Sequence, residues 1–392
     1  MKTKLVIFGI TGDLSRRKLL PALSEIVATG DFEDLSIVGV SRGAVVIPEL
    51  LADQLNLTDR TNIFTMDLAE AGDYRKLSDY VALESDEQAL IYLAVPPSAA
   101  TDIVEFLGQA GLNTPNVKIL FEKPFGFDLE SAKDAIERTS RYFSEEQLYR
   151  IDHYMAKEVA QDIITLRNNA ENHQHGWSNL SVESIEVIAS ESLGIEGRGT
   201  FYEPTGALRD FIQGHLMQLL SLVLMDIPAG SDPMLLPKYR LEALEYIQAA
   251  NPELAQRAQY KGYQEEADNP GSLTETFASV VLSSVHPRWK GVAIHLATGK
   301  KLAEKRTYIT VKYSDGSQDI FEETPVSEGA RLPDAYERVL VDAINSQKSI
   351  FTTSPEVLRS WAILAPVQEA WELDDRPLPL YTPGAEIIDI TG

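Results

Sequence analysis

Between Lys4 and Glu122, short and almost wholly apolar runs at Leu5–Phe8, Ser36–Val40, Ile63–Met66, Leu90–Ala94 and Val117–Phe121 alternate with stretches of helical character. That alternation leaves few folds open. Strands separated by helices form a mostly parallel sheet covered on both faces, and strands buried on both sides lack the period of two that one solvated face imposes. From Arg150 onward the pattern changes to longer helices, Ala156–Ala170 and Thr205–Met225, followed by strand-like runs at Glu275–Val285, Val292–Ala297, Tyr308–Tyr313 and Gln318–Glu322. Short turns such as Ser314-Asp315-Gly316 favour an antiparallel sheet there. Helices at Pro333–Ser346 and Pro355–Trp371 close the chain. At 392 residues the chain exceeds what one core organises. The expected architecture is therefore an α/β Rossmann-like domain over residues 1–151 and an α+β domain with a mainly antiparallel sheet over 152–392. No Pro/Gly-rich linker marks the junction, so the boundary rests on the change of pattern.

The first strand runs into Gly9-Ile10-Thr11-Gly12-Asp13-Leu14 and then a helix from Ser15 to Glu25. Glycines there let backbone N–H groups at a helix N-terminus approach a pyrophosphate. The spacing departs from G-x-G-x-x-G: Thr11 and Leu14 take the second and third glycine positions and Gly12 comes one place later. A tight turn without a ligand is the plainer alternative. The second strand ends in Ser41-Arg42 with no acid to accept ribose hydroxyls, and Arg16, Arg17 and Lys18 follow the glycine turn. That set of charges favours NADP, with NAD the weaker alternative. Pro96 and Pro97 end the fourth strand and Lys123 follows the fifth, both at the carboxyl edge where open parallel sheets bind ligands.

Lys and Arg total 35 against 59 Asp and Glu, a net charge of −24 that repels nucleic acid and anionic membranes as partners. An anionic ligand needs a local cluster of cations. One stands at Arg150–Glu158, where His153 and Lys157 are four apart on one expected helix face with the Tyr154 hydroxyl beside them, a set suited to a phosphate monoester. Capping and core roles for His153 and Tyr154 are the plain alternative. The apolar helix Thr205–Met225 carries Arg209, Asp210, Gln213 and His215 in its first half. Polar groups there need partners or a cleft, and a histidine suits proton removal from an alcohol. With no Cys there is no disulfide, thiolate metal site or thiol nucleophile, no metal is called for, and a cofactor must supply redox chemistry. MKTKLVIFGITGDL reads as a strand rather than a signal peptide, and Leu216–Met225 is too short to span a bilayer, which suits a cytoplasmic protein.

The runs GITGDLSRRKLLPAL, YLAVPP, FEKPFGFDL, YRIDHYMAKE, EGRGTFYEPTGALRDFIQGHLMQLL, RWKGV, GKKLAEKR and LPDAYERVL stand in the order found in the glucose-6-phosphate dehydrogenase family, which the chain resembles over nearly its whole length. The resemblance implies oxidation of glucose 6-phosphate to 6-phosphoglucono-1,5-lactone with reduction of NADP, the first step of the oxidative pentose phosphate pathway. It implies that His215 is the general base, partnered by Asp152, and that His153, Tyr154 and Lys157 hold the phosphate. Sugar contacts fall to Glu191, Asp210, Lys300 and Lys305, and Lys123 bridges sugar and cofactor. Cofactor contacts fall to Gly9, Thr11, Gly12, Asp13, Leu14, Lys18, Arg42, Pro96 and Lys123. The chain also departs from the family. Typical members are longer, and only Phe321–Leu332 separates the last hairpin from LPDAYERVL, an interval where the family has further strands. Ala297 stands where some members carry an Arg for a second, structural NADP. A homodimer smaller and weaker than the family's is therefore expected, its sheet edge blunted by Glu322, Glu323, Pro325 and Glu328. The rival readings are an oxidoreductase of the glucose–fructose oxidoreductase type and a non-catalytic NADP-binding sensor.

Overall fold

The apolar runs of the N-terminal half form β1 (Lys2–Phe8), β2 (Leu35–Ser41), β3 (Thr61–Thr65), β4 (Glu87–Leu93) and β5 (Val117–Glu122), joined by β6 (Leu148–Ile151). In this computed structural model, which describes residues 1–168, 176–228, 230–323 and 334–391, the chain divides into two units. The first comprises residues 1–126, 130–156 and 334–354; the second comprises 127–129, 157–168, 176–228, 230–323 and 355–391. Strand order in the first is Phe351–Thr352, β6, β5, β4, β1, β2, β3, parallel throughout except for the two-residue edge strand. Its core is built as the pattern demands. Val6, Phe8, Ile91, Leu93 and Ile119 meet Tyr74, Leu77, Ile103 and Leu107 from the helices Ala71–Val81 and Pro97–Gln109. Truncating a fully buried Leu such as Leu107 to Ala costs about 2–5 kcal/mol.

Helix Ala335–Ile344 and strand Phe351–Thr352 belong to this first unit, although a continuous second domain over 152–392 assigns them to the other. The reason is local chemistry at both helix ends. Asp334 caps the N-terminus by accepting from the Tyr336 N–H at 2.9 Å, and Glu337 reaches back to the Asp334 N–H at 3.2 Å. At the other end the buried Lys118 of β5 donates to the Ala343 carbonyl at 2.7 Å and to Ser346 Oγ at 2.7 Å, satisfying groups a helix leaves open. Burial lowers the Lys118 ammonium to about 8. Phe351 and Thr352 then pair antiparallel with Ile151 and Arg150.

The second unit carries β7 (Val182–Ser190), β8 (Gln256–Tyr260), β9 (Phe277–Leu282), β10 (Ala293–Gly299), β11 (Arg306–Tyr313) and β12 (Gln318–Glu322). The sheet order is β12, β11, β7, β10, β9, β8, Leu380–Tyr381. It is mainly antiparallel, with parallel pairings of β7 with β10 and of β8 with Leu380–Tyr381. The β11–β12 hairpin turns at Gly316, whose φ of +86° suits glycine, and Asp315 braces it by accepting from the Ser317 N–H at 2.9 Å. Of the apolar stretch Leu208–Leu224, the first part, Leu208–Leu216, packs on β7, β9 and β10, and the helix Met217–Leu224 packs on helices Glu158–Asn168 and Leu236–Glu245. A fully buried ion pair, Arg240 with Glu356 at 2.7 Å, joins helices Leu236–Glu245 and Ser354–Glu372. Residues 324–333, including Pro325 and Glu328 of the expected blunted edge, and residues 169–170 of the expected first helix lie outside the described residues. Among the described residues no helix is long and apolar enough to cross a membrane.

Candidate active site

The glycine turn is shaped by close packing in the first unit. Gly9 has φ +80°, and a Cβ there would lie 2.3 Å from the Ala94 carbonyl oxygen, so the end of β1 meets the end of β4 only because the residue has no side chain. The Gly12 N–H bonds the Gly9 carbonyl at 2.9 Å, as does Ser15 Oγ. The helix then opens with a π-type turn, Ser15–Leu19, before the α-helix Leu20–Ala28. Thr11 and Asp13 are exposed, Leu14 half-buried, and Asp13 pairs with Arg17 at 2.7 Å. Lys18 reaches Asp334 at 3.2 Å. Arg42 lies exposed just beyond β2 and Pro96 exposed just ahead of helix Pro97–Gln109. These residues fit a dinucleotide: an accessible helix start after a glycine turn, with cations at Lys18 and Arg42 for phosphate charge.

Lys123 is half-buried at the end of β5, ahead of a cis peptide to Pro124. The preceding Glu122 accepts a hydrogen bond from the Tyr92 hydroxyl, and burial raises its carboxyl to about 7. Asp152 follows β6 and is buried, with one carboxylate oxygen accepting from the Tyr154 N–H at 2.9 Å. His153 and Tyr154 therefore lie on a 3₁₀ turn, His153–Ala156, and the α-helix begins only at Glu158. The expected shared helix face of His153 and Lys157 is not formed, because the Asp152 carboxylate tightens the chain into that turn first. The His153 ring stacks on Tyr336 at 6.1 Å and 14° and meets Tyr154 edge-on at 4.9 Å. Neither Glu122 nor Tyr336 is among the expected site residues; the EKP run itself draws the eye to Lys123.

In the second unit, Glu191 follows β7, Lys300 follows β10, and Asp210 lies on the helical segment Leu208–Leu216. The structure brings these three together. The buried Lys300 ammonium bonds Glu191 and lies 3.7 Å from Asp210, over the rings of Tyr202 at 4.9 Å and Phe211 at 5.7 Å. Leu208–Leu216 is a π-helical segment rather than the ordinary helix its composition suggests, a departure that often accompanies functional sites. The buried His215 meets Phe211 edge-on at 5.3 Å on this segment. Its N-terminus is capped by the buried Glu275, which accepts from the Leu208 N–H at 2.8 Å. Lys157 pairs with Glu323 at 2.9 Å, and Lys305 is exposed ahead of β11.

A doubly wound sheet with a glycine turn in one unit, and in the other a buried histidine on the same sheet-packed segment as part of a Lys–carboxylate cluster, define a nicotinamide-dinucleotide-linked oxidoreductase. Residues 6–162 match the glucose-6-phosphate dehydrogenase NAD binding domain, and residues 164–331 and 323–387 match the glucose-6-phosphate dehydrogenase C-terminal domain. The chain belongs to the glucose-6-phosphate dehydrogenase family. It is 30% identical to glucose-6-phosphate 1-dehydrogenase of Chlamydia muridarum over 471 aligned positions, covering 97% of this chain and 92% of that protein. Among solved structures it resembles glucose-6-phosphate 1-dehydrogenase from Mycobacterium avium, with TM-score 0.86, 29% identity and coverage of 98% and 94%. It also resembles a glucose-6-phosphate dehydrogenase in complex with its substrate glucose-6-phosphate, with TM-score 0.88, 25% identity and coverage of 98% and 95%.

Proposed function

We propose that the chain oxidises glucose 6-phosphate at C1 to 6-phosphoglucono-1,5-lactone with NADP as the acceptor. The observation that carries this reading is the Glu191–Lys300–Asp210 cluster, which shares its unit, and in part its helical segment, with the buried His215. A sugar offers several hydroxyls that both donate and accept, and a cluster of one cation and two carboxylates answers both functions. NADP, when bound, supplies the hydride acceptor. The rest falls to the chain's own groups. His215 takes the C1 hydroxyl proton, and Asp152 is its carboxylate partner, fixing the tautomer as in other His–Asp arrangements. His153, Tyr154 and Lys157 hold the phosphate, with the exposed Lys305 a further cation for the substrate. Gly9, Thr11, Gly12, Asp13, Leu14 and Pro96 shape the nucleotide site, Lys18 and Arg42 meet its phosphates, and Lys123 serves both ligands.

A sugar phosphate does not cross a bilayer unaided, which supports a cytoplasmic location. The chain pairs as a weak homodimer. Reduction of NADP and NAD followed with glucose 6-phosphate and with glucose tests the reading, together with His215→Asn. The expected outcome is turnover specific for the phosphorylated sugar, preference for NADP, and a kcat loss of about 10²–10⁴ in His215→Asn with substrate binding nearly intact. Near-normal turnover in that variant would remove His215 from the role of base.

A further inference from the structure

The buried Lys300 owes its place to the chain reversal that follows β10, and that reversal does not support itself. The next residue, Lys301, has φ +51°, a left-handed conformation that a residue with a side chain keeps only where its surroundings impose it. Two other parts of the second unit impose it. On one side the Lys301 N–H donates to the Leu193 carbonyl at 3.0 Å and the Leu302 N–H to the Glu191 carbonyl at 2.9 Å. On the other the Gly384 N–H donates to the Lys301 carbonyl at 2.7 Å, and the Ala303 N–H to the Ala385 carbonyl at 3.1 Å. Lys300 is held at both its own backbone groups. Its N–H donates to the Thr276 carbonyl at 2.9 Å, and its carbonyl accepts from the Tyr381 hydroxyl at 2.6 Å. The direction of that last bond follows from its neighbours. Thr276 Oγ1 accepts from the Tyr260 N–H at 2.9 Å and lies 3.0 Å from the Tyr381 oxygen, so the threonine proton is available to that oxygen. The single phenol proton then goes to the Lys300 carbonyl rather than to the Thr276 carbonyl at 3.2 Å. Tyr381 is buried, fixed by the pairing of Leu380–Tyr381 with β8 and by edge-on contacts with the rings of Tyr260 and Phe277.

We infer that Tyr381 is a positioning residue for Lys300: its hydroxyl clamps the Lys300 carbonyl, and so residues 381–385 set the ammonium between Glu191 and Asp210, where the sugar hydroxyls are met. The inference rests on the proposed function, since it assumes that Lys300 contacts the sugar. It has a consequence that simple structural support lacks. A tyrosine that only stabilises the fold lowers the unfolding temperature and leaves ligand affinities alone, whereas one that acts through Lys300 changes affinity for the sugar, and only while Lys300 is present.

The test is a double-mutant cycle read on KM for glucose 6-phosphate and KM for NADP, with Tyr381→Phe, Lys300→Ala and the two combined. Tyr381→Phe is expected to raise KM for glucose 6-phosphate about threefold to tenfold, the equivalent of one lost hydrogen bond, and to leave KM for NADP unchanged. Lys300→Ala is expected to raise the same KM further. Adding Tyr381→Phe to it should then change nothing more. Tyr263→Phe is the control, since its ring packs in the same aromatic cluster but its hydroxyl bonds Glu203 rather than the reversal. It should lower the unfolding temperature with both KM values at wild type. Should Tyr381→Phe fail to fold, Thr276→Val, which removes the hydroxyl that orients the phenol, carries the same cycle, and an unchanged KM for glucose 6-phosphate there overturns the inference. A wild-type KM for glucose 6-phosphate in Tyr381→Phe, equal rises for sugar and cofactor, or full additivity with Lys300→Ala overturns it as well. Wild-type KM values in Lys300→Ala, or no turnover of glucose 6-phosphate by the unaltered chain, overturn the proposed function and the inference with it, so the two failures are distinct.

Discussion

Lys157 holds Glu323 at 2.9 Å, yet on the proposed reading the same ammonium meets the substrate phosphate. A phosphate monoester carries about −1.5 to −2 charges near neutrality and must compete with that carboxylate for the cation. The Lys157 side chain is 19% exposed and that of Glu323 47%, so solvent screens the pair and its worth is at most about 1 kcal/mol. Glu323→Gln should therefore lower KM for glucose 6-phosphate by no more than about fivefold while leaving kcat and activity on unphosphorylated glucose unchanged. Steady-state kinetics with both sugars decide it; a raised KM would mean that Glu323 holds Lys157 in its working position. Lys300 is the opposite case. It is buried against Glu191 and Asp210, so on the same proposed reading the sugar hydroxyls would meet a cluster already neutralised in part, one suited to orienting a neutral ring rather than attracting charge.

The helical segment that carries Asp210 and His215 depends on how it starts. Gly206 has φ +66°, and a Cβ there would fall 2.4 Å from Glu275 Oε1, the oxygen that accepts from the Leu208 N–H. Gly206→Ala should cost about 2 kcal/mol or more through backbone strain and collision, and should lower kcat as well, because the segment bearing His215 is displaced. Thermal unfolding and turnover measured on the same preparation check this. Glu275→Gln keeps an acceptor in place and should retain the fold. Burial raises the Glu275 carboxyl above its ordinary range, so the native state holds that proton more tightly than the unfolded chain does. Stability from this group is then full below the unfolded value near 4.5 and declines as pH rises toward the raised native value; Glu275→Gln should remove that decline. None of this was legible locally. β1 to β5 were readable because doubly covered strands are continuous apolar runs, whereas β7, with Glu183 and Glu186, and β8, with Gln256, Arg257 and Gln259, carry polar groups in no regular alternation, which only sheet partners explain. The π segment is equally hidden, since a shift from i−4 to i−5 bonding is decided by packing on the sheet rather than by the residues themselves. The site residues split the same way: the glycine turn and the RIDHY run carry their chemistry on the surface of the sequence, but Glu191 and Lys300 meet only through the register that sets Gly299 opposite Ser190.

For the whole molecule, charge sets the terms of assembly. Each chain carries −24, so two copies repel at long range, and that repulsion is screened beyond roughly 8 Å at physiological salt. The edge of the second sheet at β12 is poorly suited to pairing: Asp319 and Glu322 lie on it, and Arg306 is engaged with Glu322. The broad face offers more. A groove of about 300 Å³ there is lined by Ile188, Leu254, Val281, Ala297, Tyr308 and Ile388, with His295 exposed beside it. An apolar contact between charged copies strengthens when salt screens the repulsion, whereas one built on ion pairs weakens. Sedimentation at micromolar concentration should therefore show a weak dimer that tightens as salt is raised. His295→Glu should shift it to monomer without changing the unfolding temperature of the monomer, since the side chain is exposed. Titration with NADP should give one nucleotide per chain, Ala297 having no group to bind a second phosphate. A dimer indifferent to His295→Glu would place the contact elsewhere. A tight tetramer, or two NADP per chain, would show that the shortened sheet presents a surface other than this groove.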